Sequence, residues 1–149
     1  SLDLSAPVLE RLKANLRLNG LDLAAHPRVR GEALATMARW AREGRRFGVL
    51  ILDPPAYATH KGGRWRAASD YAGLVKAACR LLEAGGLLAA AATAQELTAE
   101  RFERMLQEGA ARAGRRVRIL ERRGLPEDFP SLPGFPEGDY LKFLAARVD

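Results

Sequence analysis

The apolar run Phe47–Leu52, which stops at Asp53-Pro54-Pro55, constrains the fold more than any other feature of the sequence. A continuous apolar run of this length is typical of a parallel β-strand that is covered on both faces. Proline has no N–H to donate to a sheet, and it holds the preceding residue in an extended conformation. The pattern therefore predicts a strand that ends abruptly, with the acid Asp53 fixed at its tip.

Strand-like and helix-like patterns alternate along the rest of the chain. Helical periodicity fills the intervals between the strands, with Ser5 and Thr98 placed as N-caps. A proline-rich loop, 126–136, precedes the last strand, so we expect the final two strands to be antiparallel. Strand patterns occur at Val29 and at residues 2–4, 47–52, 87–92, 117–120 and 140–148. This alternation predicts an α/β fold with a mostly parallel sheet, in which ligands bind beyond the carboxyl ends of the strands.

Acidic residues follow three successive strands, namely Asp3, Glu32 and Asp53. We expect a site at this edge of the sheet. The carbonyl oxygens of Pro54 and Pro55 are suited to accept hydrogen bonds from the amino group of a nucleobase, on which an aromatic side chain can stack. Asp-Pro is also common in turns, so an ordinary strand end with a solvated acid is the alternative interpretation.

The composition fits a globular domain of 149 residues, with 48% hydrophobic and 28% charged residues. We expect a single domain, 1–149. One cysteine, Cys79, excludes an internal disulfide and a cysteine-built zinc site, and fits a cytoplasmic location. His26 and His60 are far apart in sequence, and we expect no metal site.

The charge is strongly basic, at +6, and 20 of the 24 basic residues are arginine. Arginine forms bidentate bonds with phosphate and stacks on bases, which favours a nucleic-acid partner. A GC-rich genome produces the same excess, and both explanations stay open. For an arginine cluster at 112–123, a solvated surface is favoured over an RNA contact.

Five stretches together resemble the catalytic half of class I S-adenosylmethionine-dependent methyltransferases. More narrowly, they are similar to the large-subunit rRNA methyltransferases whose known members make 5-methylcytosine. The resemblance covers nearly the whole chain and implies a Rossmann-like methyltransferase sheet that is mostly parallel with an antiparallel C-terminal strand. The stretches are LDLSAPVLERLKANLRLNGL (2–21), RGEAL (30–34), RFGVLILDPPAYATHK (46–61), DYAGLVKAACRLLEAGGLL (70–88) and EDFPSLPGFPEGDYLKFLAARV (127–148).

The resemblance implies a cofactor site for S-adenosylmethionine. It assigns Asp3, next to Leu4, to the ribose hydroxyls, and Glu32, next to Ala33, to the adenine amino group. It places Asp53 beside the methionine end of the cofactor and the target base.

The resemblance also implies a catalytic pocket and an RNA-binding segment. The residues that it assigns to the pocket of the target base are Asp53, Pro54, Pro55 and Tyr57. The residues that it assigns to the substrate RNA are Lys61, Arg64, Trp65 and Arg66, where charge and aromatic surface alternate.

The chain departs from this family at the position of the nucleophile. Members that methylate carbon 5 of cytosine use a cysteine thiolate after the glycine-glycine strand, and Thr93 stands there in this sequence. Cys79 lies in the middle of a predicted helix, where we expect a core residue. A base nitrogen as the target needs only positioning and a proton acceptor.

A second departure concerns the start of the fold. The first strand and glycine-rich turn of such enzymes are not found before residue 1, and that strand would lie between those of Asp3 and Asp53. We therefore expect a longer polypeptide, or a homodimer that covers the exposed strand edges. The predicted function is S-adenosylmethionine-dependent methylation of a base in large-subunit rRNA, with an inactive RNA-binding paralogue as the alternative. An oxidoreductase that uses a nicotinamide cofactor is disfavoured because no G-x-G-x-x-G is present.

Overall fold

The computed structural model describes residues 1–60, 63–130 and 132–149. Contacts between residues divide the chain into two compact units, Ser1–Gly44 and Arg45–Asp149. The single domain expected over 1–149 stays a prediction. Within the described residues no helix is both long and apolar enough to cross a membrane.

The first unit holds two short parallel strands and two helices. In chain order they are β1 (Leu2–Asp3), α1 (Ala6–Leu18), β2 (Val29–Arg30) and α2 (Ala33–Arg42). The predicted cap of α1 is confirmed, because the Ser5 hydroxyl accepts the N–H of Val8 at 3.4 Å. After α1 the chain reverses at Gly20, whose φ of +65° is strained for any residue with a side chain.

The second unit holds a four-stranded sheet, a hairpin and two long helices. Its elements are β3 (Phe47–Leu52), β4 (Tyr57–His60), β5 (Gly63–Arg66), α3 (Ala67–Leu81), β6 (Leu82–Ala92), α4 (Ala99–Arg112), β7 (Val117–Arg123), a 3₁₀ turn (Pro136–Gly138) and β8 (Lys142–Val148). The strand order is β3-β6-β8-β7, in which β8 runs against the other three. The predicted α/β fold with an antiparallel C-terminal strand is confirmed.

Helices α3 and α4 pack closely against each other and bury the core. A Cβ atom at Gly109 would lie 2.5 Å from the carbonyl oxygen of Ala72 and 2.6 Å from the Cβ of Val75, so only glycine allows this approach. Nearby, the rings of Tyr71 and Phe102 meet edge to face at 4.9 Å, and both side chains are fully buried. Such close aromatic and helical packing fixes α3 against α4.

The expectation that β3 is covered on both faces is wrong for this chain. Leu52 is buried, but Val49 is 57% exposed and Ile51 is 73% exposed. Among the described residues the strand pairs only with β6, and the two exposed side chains point to the face opposite Leu52 because strand side chains alternate. The apolar run correctly predicted a strand but not its coverage.

The hairpin β4–β5 was not predicted from the sequence. Its strands pair Tyr57 with Arg66 and Thr59 with Arg64. The alternation of polar and apolar residues is limited to Arg64-Trp65-Arg66, which is too short to predict a strand.

Arg115 acts as a clamp at the amino-end edge of the sheet. Its guanidinium donates hydrogen bonds of 3.0–3.1 Å to five backbone carbonyl oxygens, those of Cys79, Leu82, Glu83, Val148 and Asp149. It therefore joins the end of α3, the start of β6 and the end of β8. The backbone N–H and carbonyl groups of the next residue, Arg116, form hydrogen bonds with the backbone of Asp149, which adds to the attachment of the C-terminal end of β8.

We expect Arg115→Ala to lower the free energy of unfolding by about 2–4 kcal/mol, because it leaves several partly buried carbonyl groups without their charged donor. Arg116→Ala is the matched control, since the exposed side chain donates no hydrogen bond to any described residue; its effect should stay within about 0.5 kcal/mol. Urea unfolding of the two variants measures the difference. Equal losses of stability would contradict the clamp.

Cys79 is a core residue, as expected from its place in a helix. Its side chain is fully buried in α3, and burial raises the pKa of the thiol to about 11, against the opposing effect of Arg115. Its carbonyl binds Arg115 at the amino-end edge of the sheet, whereas Thr93 follows β6 at the carboxyl end. Cys79 is therefore not placed as a substitute nucleophile.

We expect the thiol of Cys79 to react with iodoacetamide at pH 8 about a hundredfold more slowly in the folded than in the guanidinium-unfolded protein, from the thiolate fraction alone. Burial raises the pKa of the thiol from 9.0 to about 11 in the folded state. The contribution of the thiol to the free energy of unfolding is therefore fully present below pH 9, and it is lost as the pH rises through 11. Equal alkylation rates in the two states would contradict the burial of this group.

Candidate functional site

The Asp53–Pro55 segment leaves the sheet at the carboxyl end of β3. Leu52 is buried, and Asp53 and Pro55 are exposed. The hydroxyl of Tyr71 lies 2.8 Å from the carbonyl oxygen of Ala91 and 3.2 Å from that of Leu52, and it shares its single proton between the two in a bifurcated hydrogen bond. The ends of β3 and β6 are thus joined by a buried side chain just where the sheet stops.

The hairpin β4–β5 is fastened to this segment. The indole N–H of Trp65 donates to the carbonyl oxygen of Pro55 at 2.9 Å, and the N–H of Ala67 donates to the carbonyl oxygen of Ala56 at 2.9 Å. The carboxylate of Asp70 accepts the N–H of Arg66 at 2.7 Å and fixes the junction with α3. The hairpin therefore has a defined place beside Asp53.

The hydrogen bond from Trp65 determines which carbonyl oxygens of the Asp53–Pro55 segment remain free to accept a hydrogen bond from a nucleobase. The oxygen of Pro55 already has a donor, whereas no described residue donates a hydrogen bond to the oxygen of Pro54. The carboxylate of Asp53 is exposed, and no described side chain pairs with it. Among the described residues, the Asp53 carboxylate and the Pro54 carbonyl are therefore acceptors of this segment that have no donor.

The hairpin separates its cationic face from its aromatic anchor. Tyr57, Arg64 and Arg66 point to one face, where the guanidinium carbon of Arg66 lies 6.0 Å from the centre of the half-exposed Tyr57 ring. Trp65 points to the other face, with its ring 6.3 Å from that of Tyr71. Of the residues predicted to contact RNA, Arg64 and Arg66 thus share an exposed face, and Lys61 lies outside the described residues.

A second segment at the same edge, residues 93–97, follows β6. The ammonium of Lys142, at the start of β8, donates to the carbonyl oxygen of Ala94 at 2.8 Å, and the side chain of Gln95 donates to the carbonyl oxygen of Glu137 at 3.4 Å. Burial lowers the pKa of Lys142, and the carboxylates of Asp139 and Glu96 oppose that effect. The Lys142 side chain and the Glu137 backbone therefore hold the residues that follow Thr93, a role that sequence reasoning had not assigned.

Thr93 itself lacks the surroundings of an activated nucleophile. Its side chain is partly exposed, and none of the described residues forms a hydrogen bond with its hydroxyl. A threonine hydroxyl needs an adjacent base to attack at neutral pH. The described part of the structure therefore gives this position no means of forming a covalent intermediate.

In the first unit, Asp3 and Glu32 follow the paired strands β1 and β2. One oxygen of Asp3 accepts the N–H of Ser5 at 2.7 Å, and carboxylates retain further acceptor sites after one such bond. Both oxygens of Glu32 cap α2, with the N–H groups of Leu34 and Ala35 at 3.0 and 2.6 Å. Beside them, Leu4 is exposed and Ala33 is partly exposed.

These local bonds bear on the predicted roles in cofactor binding. One carboxylate oxygen of Asp3 accepts no hydrogen bond from a described residue and is open to a hydroxyl ligand. Each carboxylate oxygen of Glu32 already accepts one backbone N–H. Sequence reasoning had not identified Glu32 as a helix cap, although its place before a helical pattern was a usable signal. The roles assigned to all of these residues stay predictions.

The arginine cluster at 112–123 is largely engaged within the protein. Four guanidinium groups pair with carboxylates, and Arg115 binds carbonyl groups as described. The pairs are Arg112–Glu108, Arg118–Asp149, Arg122–Glu103 and Arg123–Glu121. Surface pairs of this kind contribute little stability, but they reduce the charge that is available to RNA. The geometry therefore favours the interpretation of a solvated surface.

Comparison with known proteins gives relatives over almost the whole chain. The chain is 32% identical over 148 residues to the ribosomal RNA large subunit methyltransferase I of Klebsiella pneumoniae (strain 342), and equally so to that of Enterobacter sp. (strain 638). These alignments cover 99% of this chain and 37% of each relative, so the chain spans little more than a third of their length. No protein-family model matches.

Solved structures show the same fold. The structure of SMU.776, solved in complex with SAH, superposes on 99% of this chain with a TM-score of 0.90. The match covers 38% of the SMU.776 chain, at 24% sequence identity. The structure of the SAM-dependent methyltransferase from Agrobacterium tumefaciens superposes on 98% of this chain with a TM-score of 0.70. The match covers 47% of that methyltransferase chain, at 19% sequence identity.

The resemblance inferred from the motifs is thereby confirmed. The chain is homologous, over nearly its whole length, to one part of the ribosomal RNA large subunit methyltransferase I proteins, and it has the fold of the class I S-adenosylmethionine-dependent methyltransferases.

Proposed function

We propose that this chain is a catalytic part of a cytoplasmic enzyme that transfers a methyl group from S-adenosylmethionine to a base of large-subunit rRNA. The observation that carries the proposal is the exposed Asp53–Pro55 segment at the end of β3, with a cationic hairpin fastened beside it. The homology to rRNA methyltransferases over 99% of the chain supports the same substrate class. A homodimer that covers the outer edge of β3 stays a prediction.

The donor set fits the cofactor. Asp3 offers a carboxylate oxygen to the ribose hydroxyls, as in other nucleotide sites at strand ends. Glu32, next to Ala33, is assigned to the adenine amino group by the resemblance, and its capping bonds leave lone pairs free for that role. S-adenosylmethionine, when bound, supplies an electrophilic methyl group.

The residues at the carboxyl end of β3 are arranged to orient a base. The exposed Asp53 carboxylate and Pro54 carbonyl accept hydrogen bonds from an exocyclic amino group, and Tyr57 offers a ring for stacking. Methylation of a base nitrogen would release a proton from that nitrogen, and the Asp53 carboxylate would be the group placed to accept it.

A nitrogen atom is the favoured target because the chain lacks the thiol that carbon methylation requires. Carbon 5 of cytosine becomes nucleophilic only after a thiolate adds to the adjacent ring carbon. Thr93 occupies that position without an activating partner among the described residues, and Cys79 is buried in the core. Methylation of a nitrogen needs only orientation and a proton acceptor.

Calorimetric titration with S-adenosylhomocysteine tests the cofactor site. In the protein as it occurs in the cell we expect Asp3→Ala to weaken binding about tenfold or more, because a charged acceptor of ligand hydroxyls is lost. Asp22→Ala is a closely matched control: the Asp22 carboxylate accepts the N–H of Ala24 at 2.9 Å, two residues along, just as Asp3 accepts that of Ser5. No binding by the wild type, or equal effects of the two variants, would refute the proposed role.

Salt-dependent binding to rRNA tests the hairpin. We expect Arg64→Ala to weaken affinity and to lower the slope of log K against log salt by about 0.7, the value for one phosphate of a single strand. Arg116→Ala is the control, because its side chain is also exposed but lies in the arginine cluster. An unchanged slope for Arg64→Ala, or a larger change in slope for Arg116→Ala, would contradict an RNA contact at the hairpin.

A further inference from the structure

The buried hydroxyl of Tyr71 bridges the two strand ends that carry the proposed site. It donates to the carbonyl oxygen of Leu52, the residue before Asp53, and to that of Ala91, two residues before Thr93. β3 and β6 are parallel neighbours, and Leu52 stands opposite Ala90 in the register. The hydroxyl therefore fixes the spacing of the strands at the point where they leave the sheet.

The position of this hydroxyl is itself tightly determined. The Tyr71 side chain is fully buried, its ring packs edge to face on Phe102 at 4.9 Å, and its other neighbour is the ring of Trp65 at 6.3 Å. Trp65 in turn holds the carbonyl group of Pro55. A continuous line of contacts thus runs from the helical core through Tyr71 to both sides of Asp53.

The electrostatic setting keeps the hydroxyl a donor. Burial, and next the negative charge of Asp53, raise the pKa of Tyr71 far above its ordinary value of 10.0. The hydroxyl therefore stays protonated, and the bridge keeps its donor, at neutral pH. Asp53 directly follows Leu52, so its backbone adjoins one of the two carbonyl groups that the hydroxyl contacts.

We propose that Tyr71 is a positioning residue for methyl transfer: its hydroxyl sets the place of Asp53 by joining the carboxyl ends of β3 and β6. This inference rests on the proposed function of Asp53 at the reacting base. Displacement of a catalytic group by as little as 1 Å costs up to about a hundredfold in rate, so the loss of the bridge lowers turnover more than it lowers binding.

The test is Tyr71→Phe in the protein as it occurs in the cell, assayed on rRNA well below the melting temperature of the variant. We expect kcat to fall about tenfold or more while KM for the RNA stays within about twofold, because the ring remains and only the bridge is lost. Tyr140→Phe is the matched control: it removes a hydroxyl that forms no hydrogen bond with any described residue, and it should leave kcat unchanged. An unchanged kcat for Tyr71→Phe would overturn the proposal.

A double-mutant cycle distinguishes positioning from general stabilisation. If Tyr71 acts through Asp53, Tyr71→Phe lowers kcat in the wild type but has little further effect in Asp53→Asn. A purely structural hydroxyl lowers the melting temperature and gives the same fold-change in both backgrounds. Additive losses would therefore overturn the proposed role of Tyr71.

Hydrogen exchange keeps the inference testable if the proposed function fails. Should the wild type transfer no methyl group, the proposed reaction is wrong, and the bridge is then judged by the backbone amides of Ala56 and of residues 92–94. We expect them to exchange at least about fivefold faster in Tyr71→Phe than in the wild type, while the amides of α4 stay unchanged. Unchanged exchange at both strand ends would show that the hydroxyl holds nothing in place.

Discussion

The carbonyl oxygens at the carboxyl ends of β3 and β6 are the constraint on which the second unit depends. A parallel ladder leaves these groups without partners where the strands stop, and two prolines prevent β3 from continuing. Side chains from elsewhere in the fold satisfy them: the hydroxyl of Tyr71 serves Leu52 and Ala91, and the indole of Trp65 serves Pro55. The same bonds that complete the sheet leave Asp53 exposed at its edge.

The arginine residues of the second unit have different roles. Arg115 binds five carbonyl groups at the amino-end edge of the sheet. Four other members of the 112–123 cluster pair with acids, which reduces the net charge there. Arg64 and Arg66, at the opposite edge, stand on an exposed face beside Tyr57 and present positive charge next to the segment that carries Asp53.

Local features of the fold were predictable from sequence, whereas contacts between distant residues were not. The caps Ser5 and Thr98 and the antiparallel final strands follow from short-range preferences, and the structure confirms them. Coverage of β3 depends on which elements pack against it, and an apolar run does not encode this. The bonds of Trp65 to Pro55 and of Arg115 to β8 join residues that no spacing rule connects. The sequence therefore predicted the acid at the end of β3, which the structure shows, but not the side chains that support that segment; the role of Asp53 stays a prediction.

Position 93 links this architecture to the choice of chemistry. The segment after β6 is held by Lys142 through the carbonyl group of Ala94, so the backbone beside Thr93 is fixed whichever side chain it carries. A thiolate there adds to a pyrimidine ring and makes carbon 5 reactive, whereas a hydroxyl without a base does not. Under the proposed function, the supports at Tyr71 and Trp65 would serve either reaction, because both require an oriented base. The residue at position 93 would then decide between carbon and nitrogen as the target, and threonine there favours nitrogen.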